Sequence, residues 1–442
     1  MPSAPRSGMW ASVGRTAVTK VLVMGVAGVF GILNSRLIIS HFGTDAYAQY
    51  GLLATFPSLM PFTDLGIGAV IINAVAGSTD PSHDSFVRRA VTTSVRVLLV
   101  STLAISTLAV AVGLAGWWPA LLGGGLMDGG GRTATVCLLI YAAALPLGIG
   151  QRVVVGLGRN ATQVLAQGLV SPALTTMLLA AVLARLDAGN EVPIMSYAAN
   201  TIVSVVCLGV TWRVTGPLLR DVVRGVPRRR EVPGIRVIDT AGPQLAQSLV
   251  MPIAYGTDRL LLSHLAGVGQ LAEYNLGAQL FGLVTQTVVV AGVAMWPQFA
   301  RARAAGRVES PFRASLVMGG LGAVAALALW ATTPWLVPLV SGSAITLTTS
   351  LILAYVAGIA VESAKQPLGM YMTDPAGLRF QVVPVMTMVA VNLAASWVLI
   401  APLGAAGPVL GSAVAGLVCQ VLPYAWWVRR DVHRRREAAT AG

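Results

Sequence analysis

Charge is scarce in this chain. Only 11% of its 442 residues are Asp, Glu, Lys or Arg, against 55% hydrophobic ones, and the mean hydropathy is +0.74. Soluble domains carry about 25% charged residues, so a soluble globular fold is excluded. Cysteine is nearly missing: Cys137, Cys207 and Cys419 show no CxxC spacing and all fall in apolar runs. That removes a disulfide framework and a cysteine metal site, and no metal or cofactor is expected. No GxxxxGK[ST] loop exists, so nucleotide hydrolysis is not intrinsic to the chain. Strict period-2 alternation is missing as well, which excludes an outer-membrane barrel. The first apolar run is long and lacks a small-residue cleavage pattern, so no cleavable signal peptide is expected.

What the chain has in abundance is apolar segments of bilayer-spanning length. A helix needs about 20 apolar residues to cross the hydrocarbon, and such segments recur almost throughout. We place twelve spans at 17–40, 48–76, 91–118, 134–157, 163–185, 193–214, 241–265, 271–298, 314–340, 346–363, 380–401 and 405–427. The expected fold is therefore an all-α polytopic membrane protein.

The basic residues orient it. With the N-terminus in the cytoplasm, 26 of the 30 Lys and Arg residues fall in cytoplasmic segments or at the cytoplasmic ends of spans. Arg132 and Arg185 fall outside, and Arg36 and Arg259 lie within spans. That asymmetry is what the positive-inside rule demands. It places both termini in the cytoplasm and the protein in the cell (inner or plasma) membrane. The formal net charge of +13 thus reports topology and attraction to anionic lipid. No nucleic-acid partner is expected, because the basic residues are scattered among seven short segments.

The most charged and proline-punctuated region, "RVTGPLLRDVVRGVPRRREVPGIR", separates spans six and seven. Within it "PLLRDVVR" has the pattern of a short amphipathic helix on the membrane surface. The expected organisation is a six-helix bundle over 1–214, a basic cytoplasmic linker over 215–236 and a second six-helix bundle over 237–442.

The halves repeat one another. "RLIISHFGTDAYAQYGLLATF" from Arg36 and "RLLLSHLAGVGQLAEYNLGAQL" from Arg259 share nine identities over 21 pairs with one gap, among them His41 with His264 and Tyr50 with Tyr274. "DSFVRR" from Asp84 recurs as "ESPFRA" from Glu309. Polar identities at an almost constant offset mark a duplication. With six spans per half the repeats run parallel, related by an axis along the membrane normal. Such proteins hold their substrate near the bilayer midplane, in a central cavity at the repeat interface.

Several phrases resemble a known family. "AYAQYGLLATFPSLMPFTDLGIGAVIINAVA" is similar to the second-helix signature of the polysaccharide flippases (Wzx-type, MOP superfamily). "GTDRLLLSHLAGVGQLAEYNLGAQL" resembles the phrase joining their seventh and eighth helices. "MWPQFARARAAGR" is similar to the exit from helix eight, and "PLGAAGPVLGSAVAGLVCQVLPYAWWVRR" to the glycine-rich last helix. The resemblance covers about a third of the chain and implies a MATE-like architecture. It implies movement of a polyprenyl-pyrophosphate-linked oligosaccharide from the inner to the outer leaflet by alternating access. The implied partners are that glycan carrier, membrane lipids, and the polymerase and glycosyltransferases of polysaccharide assembly.

Candidate site residues are the polar groups inside spans. An arginine at mid-bilayer costs about 2.5–3.5 kcal/mol on insertion scales and is by default functional. Arg36 and Arg259 occupy corresponding places in spans one and seven, in the outer third of the membrane. Facing one cavity, they would grip a diphosphate through bidentate hydrogen bonds; the competing reading is snorkelling to outer headgroups. Asp258 points about 100° away from Arg259 around the helix. It is either a carrier of a proton or sodium ion or a partner to a neighbouring helix. Asp64, between Pro61 and Gly66, is a gate candidate. Amides inside spans, including Asn34, Gln151, Asn200, Gln244 and Gln247, either line a hydrated cavity that binds sugar hydroxyls or tie helices together. Of these, Asn34, Gln244 and Gln247 are the substrate-binding candidates.

Three rivals are weaker. A membrane enzyme of polysaccharide assembly needs a large loop or domain with clustered carboxylates or histidines, and the longest extramembrane segment here is the arginine-rich linker. A MATE-like multidrug exporter needs acidic and aromatic residues for cationic drugs, whereas this chain offers arginines and only 6% aromatics. A channel or scaffold explains neither the duplication nor the embedded charges.

Overall fold

The computed structural model describes residues 6–60, 67–228, 230–234, 256–293, 295, 299, 302, 308–373 and 375–441. These residues are helical or irregular, with no strand among them. Among them, eight helices are long and apolar enough to cross a membrane. The chain forms two compact units, Met1–Pro252 and Ile253–Gly442.

Unit 1 begins with α1 (Arg6–Leu53), which carries the first span and the start of the second. Gly43 divides it, with φ 90° and ψ 170°. That conformation is open almost only to glycine, and it kinks the helix at that residue. The second span continues into α2 (Ile67–Ala76). Asp84 then caps α3 (Ser85–Leu114), accepting from the backbone N–H groups of Phe86 at 2.7 Å and Val87 at 3.3 Å. These bonds satisfy donors that the first turn leaves open. The Ser78 side chain, followed by the Phe86 amide, holds the exposed Asp84 carboxyl below its ordinary pKa. Span four is broken at Pro146 and Gly148 into α4 (Gly130–Leu147) and α5 (Ile149–Gly156). Span five is likewise two pieces, α6 (Asn160–Gly168) and α7 (Val170–Leu183), and span six is α8 (Val192–Val214).

The amphipathic linker segment forms α9 (Gly216–Gly225). Its apolar face is covered by protein rather than lipid. Leu218, Leu219 and Val222 are buried, and Leu218 and Val222 join a core with Ile71, Val87 and Val91. Arg96 of α3 holds the end of α9, donating to the carbonyls of Gly225 (2.7 Å), Val226 (3.0 Å) and Val232 (2.8 Å). A cation at a helix C-terminus satisfies carbonyls that lack helical partners and complements the helix dipole. The first part of the basic linker is thereby a structural piece of unit 1.

Unit 2 opens with a helix over 256–265, here α10, followed by α11 (Val268–Val293), α12 (Phe312–Ser341) and α13 (Thr349–Tyr371). It ends with α14 (Pro375–Leu403), α15 (Ala406–Gly416), a π-helical turn at Leu417–Val421 and α16 (Leu422–Ala441). Small residues set the helix spacing. A Cβ at Gly407 would lie 2.6 Å from the Leu399 carbonyl carbon, so α15 packs backbone to backbone on α14.

The internal geometry of the two units echoes the sequence repeat. Helices α3 and α12 are each 30 residues long. His41 Nδ1 lies 3.3 Å from the Leu37 carbonyl, and His264 Nδ1 lies 2.8 Å from the Leu260 carbonyl. Gln49 Oε1 accepts from the Met127 N–H at 2.9 Å, just ahead of α4. Its repeat partner Glu273 accepts from the Thr348 N–H at 2.7 Å, just ahead of α13. The duplicated helix ends are thus pinned to the same later helix by the same kind of bond.

Candidate functional site

Each unit carries a polar feature among its described residues. In unit 1 a cavity of about 490 Å³ opens among α2, α3, α4, α5 and α8. Its polar lining comes from Tyr141, Gln151, Arg152, Asn200, Thr201 and Ser204, with Ile67, Ile71 and Leu98 among the apolar walls. The broken span four positions the arginine. A Cβ on Gly150 would lie 2.4 Å from the Leu208 backbone nitrogen, and one on Gly156 would lie 2.8 Å from Val75 Cβ. Those two glycines let α5 press against α8 and α2, and Gln151 Nε2 donates to Ser204 Oγ at 2.8 Å across the contact. Arg152 is held beside it, on the wall of the cavity. No carboxylate lines this cavity among the described residues. A guanidinium with amides and hydroxyls in a space of this size suits a polar, anionic group of small-molecule dimensions.

In unit 2 the Asp258 carboxylate is buried, with 3% exposure. It accepts from Tyr274 Oη on α11 at 3.2 Å and is approached by Ser396 Oγ on α14 at 3.5 Å. Behind Ser396, Asn392 Oδ1 accepts from Ser412 Oγ of α15 at 2.9 Å. Among the described residues no cationic side chain forms an ion pair with Asp258. Arg259 is next in sequence, yet its Nε donates to Asn275 Oδ1 at 2.7 Å and its guanidinium lies 5.8 Å from the Tyr274 ring centre. The carboxylate is thus held by hydroxyl donors from two other helices. In unit 1 the residue preceding the repeated arginine is Ser35, which also reaches a tyrosine, Tyr47, at 3.5 Å. The carboxylate is therefore peculiar to the second repeat.

The other expected residues divide as follows. Arg36 is exposed on α1, on the same stripe as the exposed Val29 and Leu33. Asn34 does not line the unit 1 cavity. Its amide bonds the Ser171 carbonyl at 3.2 Å and Thr175 Oγ1 at 2.6 Å, tying α1 to α7. In this conformation it belongs to helix packing, because both halves of its amide have partners on the neighbouring helix. Asp64, Gln244 and Gln247 lie outside the described residues. Glu362 pairs with Lys365 and accepts from Gln366 Nε2 at 2.7 Å. No group of three or more His, Cys, Asp and Glu side chains fit to hold a metal occurs among the described residues.

Sequence reasoning found Gln151 and Asn200 as candidate cavity amides but counted Arg152 among the cytoplasmic loop charges. The signal that could have found it is Pro146 with Gly148: a proline-glycine break inside a span lets a half-helix carry a charge into the bundle.

No protein-family model and no curated protein sequence matches the chain. Solved structures do. An inward-facing multidrug resistance MATE family transporter of the MOP superfamily aligns with a TM-score of 0.69 and 14% identity, over 95% of this chain and 99% of that one. The lipid II flippase MurJ, in an inward closed conformation, aligns at 0.67 with 11% identity over 95% of this chain and 90% of its own. A MATE protein in complex with MaD3S aligns at 0.58 with 15% identity over 96% of both chains. The fold is that of these two-lobed MOP-superfamily proteins, which are transporters and flippases.

Proposed function

We propose that the chain is a membrane transporter that moves a polyprenyl-pyrophosphate-linked oligosaccharide from the cytoplasmic to the outer leaflet by alternating access. The observation that carries this reading is the unit 1 cavity: an arginine with amide and hydroxyl groups, and no carboxylate among its described lining. Arg152 takes a phosphate of the carrier, and the neighbouring amides and hydroxyls take sugar hydroxyls. In the orientation expected from the charge asymmetry, with α9 and both termini cytoplasmic, Arg152 lies toward the inner leaflet, where the carrier is loaded. Arg36 and Arg259 are the outer-leaflet counterparts in this reading, and Asp64 a gate. Asp258, with Asn392, Ser396 and Ser412 around it, holds the proton or sodium ion whose movement drives the cycle. The two halves expected from the sequence, 1–214 and 237–442, alternate between inward-open and outward-open states in the inner membrane, and the polymerase and glycosyltransferases of the same pathway are the expected partners.

Export of cationic drugs is the second reading, supported by the likeness to MATE transporters. A cationic drug in the unit 1 cavity would stand beside the Arg152 guanidinium, which favours the anionic substrate. Purified protein in vesicles, with fluorescent polyprenyl-pyrophosphate sugar in one leaflet, separates the two. Protein-dependent leaflet exchange of the anionic lipid is expected. Exchange no faster than in empty vesicles, alongside uptake of a cationic dye, would overturn the flippase reading.

A further inference from the structure

The last helix carries a second cavity, remote in function from the one just described. It lies in unit 2, has a volume of about 790 Å³, and is lined by Arg429, Arg430, His433 and Arg436 of α16 with Ser310 and Phe312 at the start of α12. Arg430 sits over the Trp426 ring at 4.0 Å, and Phe380 of α14 stacks on the other aromatic edge, 6.2 Å from Trp426 and 6.0 Å from Trp427. Two nearby carboxylates are already engaged. Asp431 bonds Arg435 at 2.6 Å and Tyr371 at 2.9 Å, and Glu437 lies 3.2 Å from His433. The cavity's described lining holds three arginines and a histidine and no carboxylate.

The order of side chains along one face of the helix identifies the occupant. Leu422 is 56% exposed and Trp426 51% exposed, and Arg430 and His433 follow at helical spacing on the same side. The face runs from aliphatic through aromatic to cationic over three turns. Tryptophan marks the headgroup level of a membrane, so the arginines stand where lipid phosphates lie and Leu422 where acyl chains begin. A soluble anion would use only the charged end of this ladder. An amphiphile with one phosphate and aliphatic chains uses all of it.

We propose that this cavity is a binding site for an acidic glycerophospholipid of the cytoplasmic leaflet. Its phosphodiester is held by Arg429, Arg430 and Arg436, and its chains run along Trp426 and Leu422. The site is independent of what the protein transports, and so is its test. The full-length protein in detergent is titrated with phosphatidylglycerol or phosphatidylcholine of identical chains, and retained lipid is counted by native mass spectrometry. Wild type is expected to hold phosphatidylglycerol at least tenfold better than phosphatidylcholine. R429A/R430A/R436A is expected to lose that preference while eluting as a single species. Hydrogen–deuterium exchange on the wild type alone gives a second reading that needs no variant: phosphatidylglycerol should slow exchange within 422–437. Three results would overturn the proposal: equal retention of the two lipids, undiminished phosphatidylglycerol on the triple variant, or full displacement of the lipid by millimolar inorganic phosphate.

Discussion

Arg152 and Asp258 divide the chemistry at the scale of single residues. A hydrogen bond to a charged group contributes about 1.5–3 kcal/mol, which is roughly 10–150-fold in affinity. Arg152→Ala is therefore expected to weaken binding of a polyprenyl-pyrophosphate sugar by about tenfold or more, as read by titration in detergent. Arg152→Lys should fall between, because an ammonium keeps the charge without the planar fork. Undiminished binding by the alanine variant would remove Arg152 from the site. Asp258→Asn tests a different step. It should leave lipid binding measurable and abolish the acceleration of leaflet exchange by an imposed proton or sodium gradient. If wild type itself ignores both gradients, Asp258 has no coupling role and its bonds to Tyr274 and Ser396 are helix packing alone.

At the scale of elements, glycine decides how closely helices pass. The Gly150 contact with Leu208 is backbone on backbone, and neither partner can swing aside. Overpacking of this kind costs about 1–3 kcal/mol. Gly150→Ala is expected to lower the thermal unfolding midpoint in detergent and to disturb the cavity that α5 borders. Gly209, on the adjacent helix, has nothing within 4 Å of a built Cβ. Gly209→Ala should be neutral or stabilising, since alanine is the better helix former. Equal midpoints for the two variants would show that α5 and α8 do not pack as described. The helix α9 teaches the converse lesson. Its sequence has the pattern of a membrane-surface helix, and periodicity alone cannot tell lipid from protein as the partner of an apolar face. Arg96, some 130 residues away in sequence, settles it by holding the carbonyls at the end of α9.

For the whole molecule, the charge asymmetry gives a topology that thiol labelling can check. The native cysteines are buried, so background labelling is low. Leu186, between α7 and α8, and Val223 on α9 are 59% and 66% exposed. In intact cells Leu186→Cys should react with a membrane-impermeant maleimide, and Val223→Cys only after permeabilisation. The reverse pattern would invert the orientation and place Arg152 toward the outer leaflet. The repeat is expected from the sequence because polar residues inside apolar runs are too costly to recur by accident. Arg36 and Arg259, His41 and His264, and Tyr50 and Tyr274 stand out for that reason. Arg152 was not readable in the same way, since it has no repeated partner and lies near a span end, where a charge is cheap.

By itself the sequence determined the solvent this protein lives in and its helical class. Each of these follows from hydropathy or periodicity, which are sums over many residues and tolerate error in any one. Which polar group meets which was decided only by the tertiary structure. It took Asn34 into the contact between α1 and α7, gave Asp258 to Tyr274 and Ser396, and stood Arg152 on a cavity wall. Those outcomes depend on helix rotation and on glycine-permitted spacing of a few ångströms, quantities that no linear pattern carries.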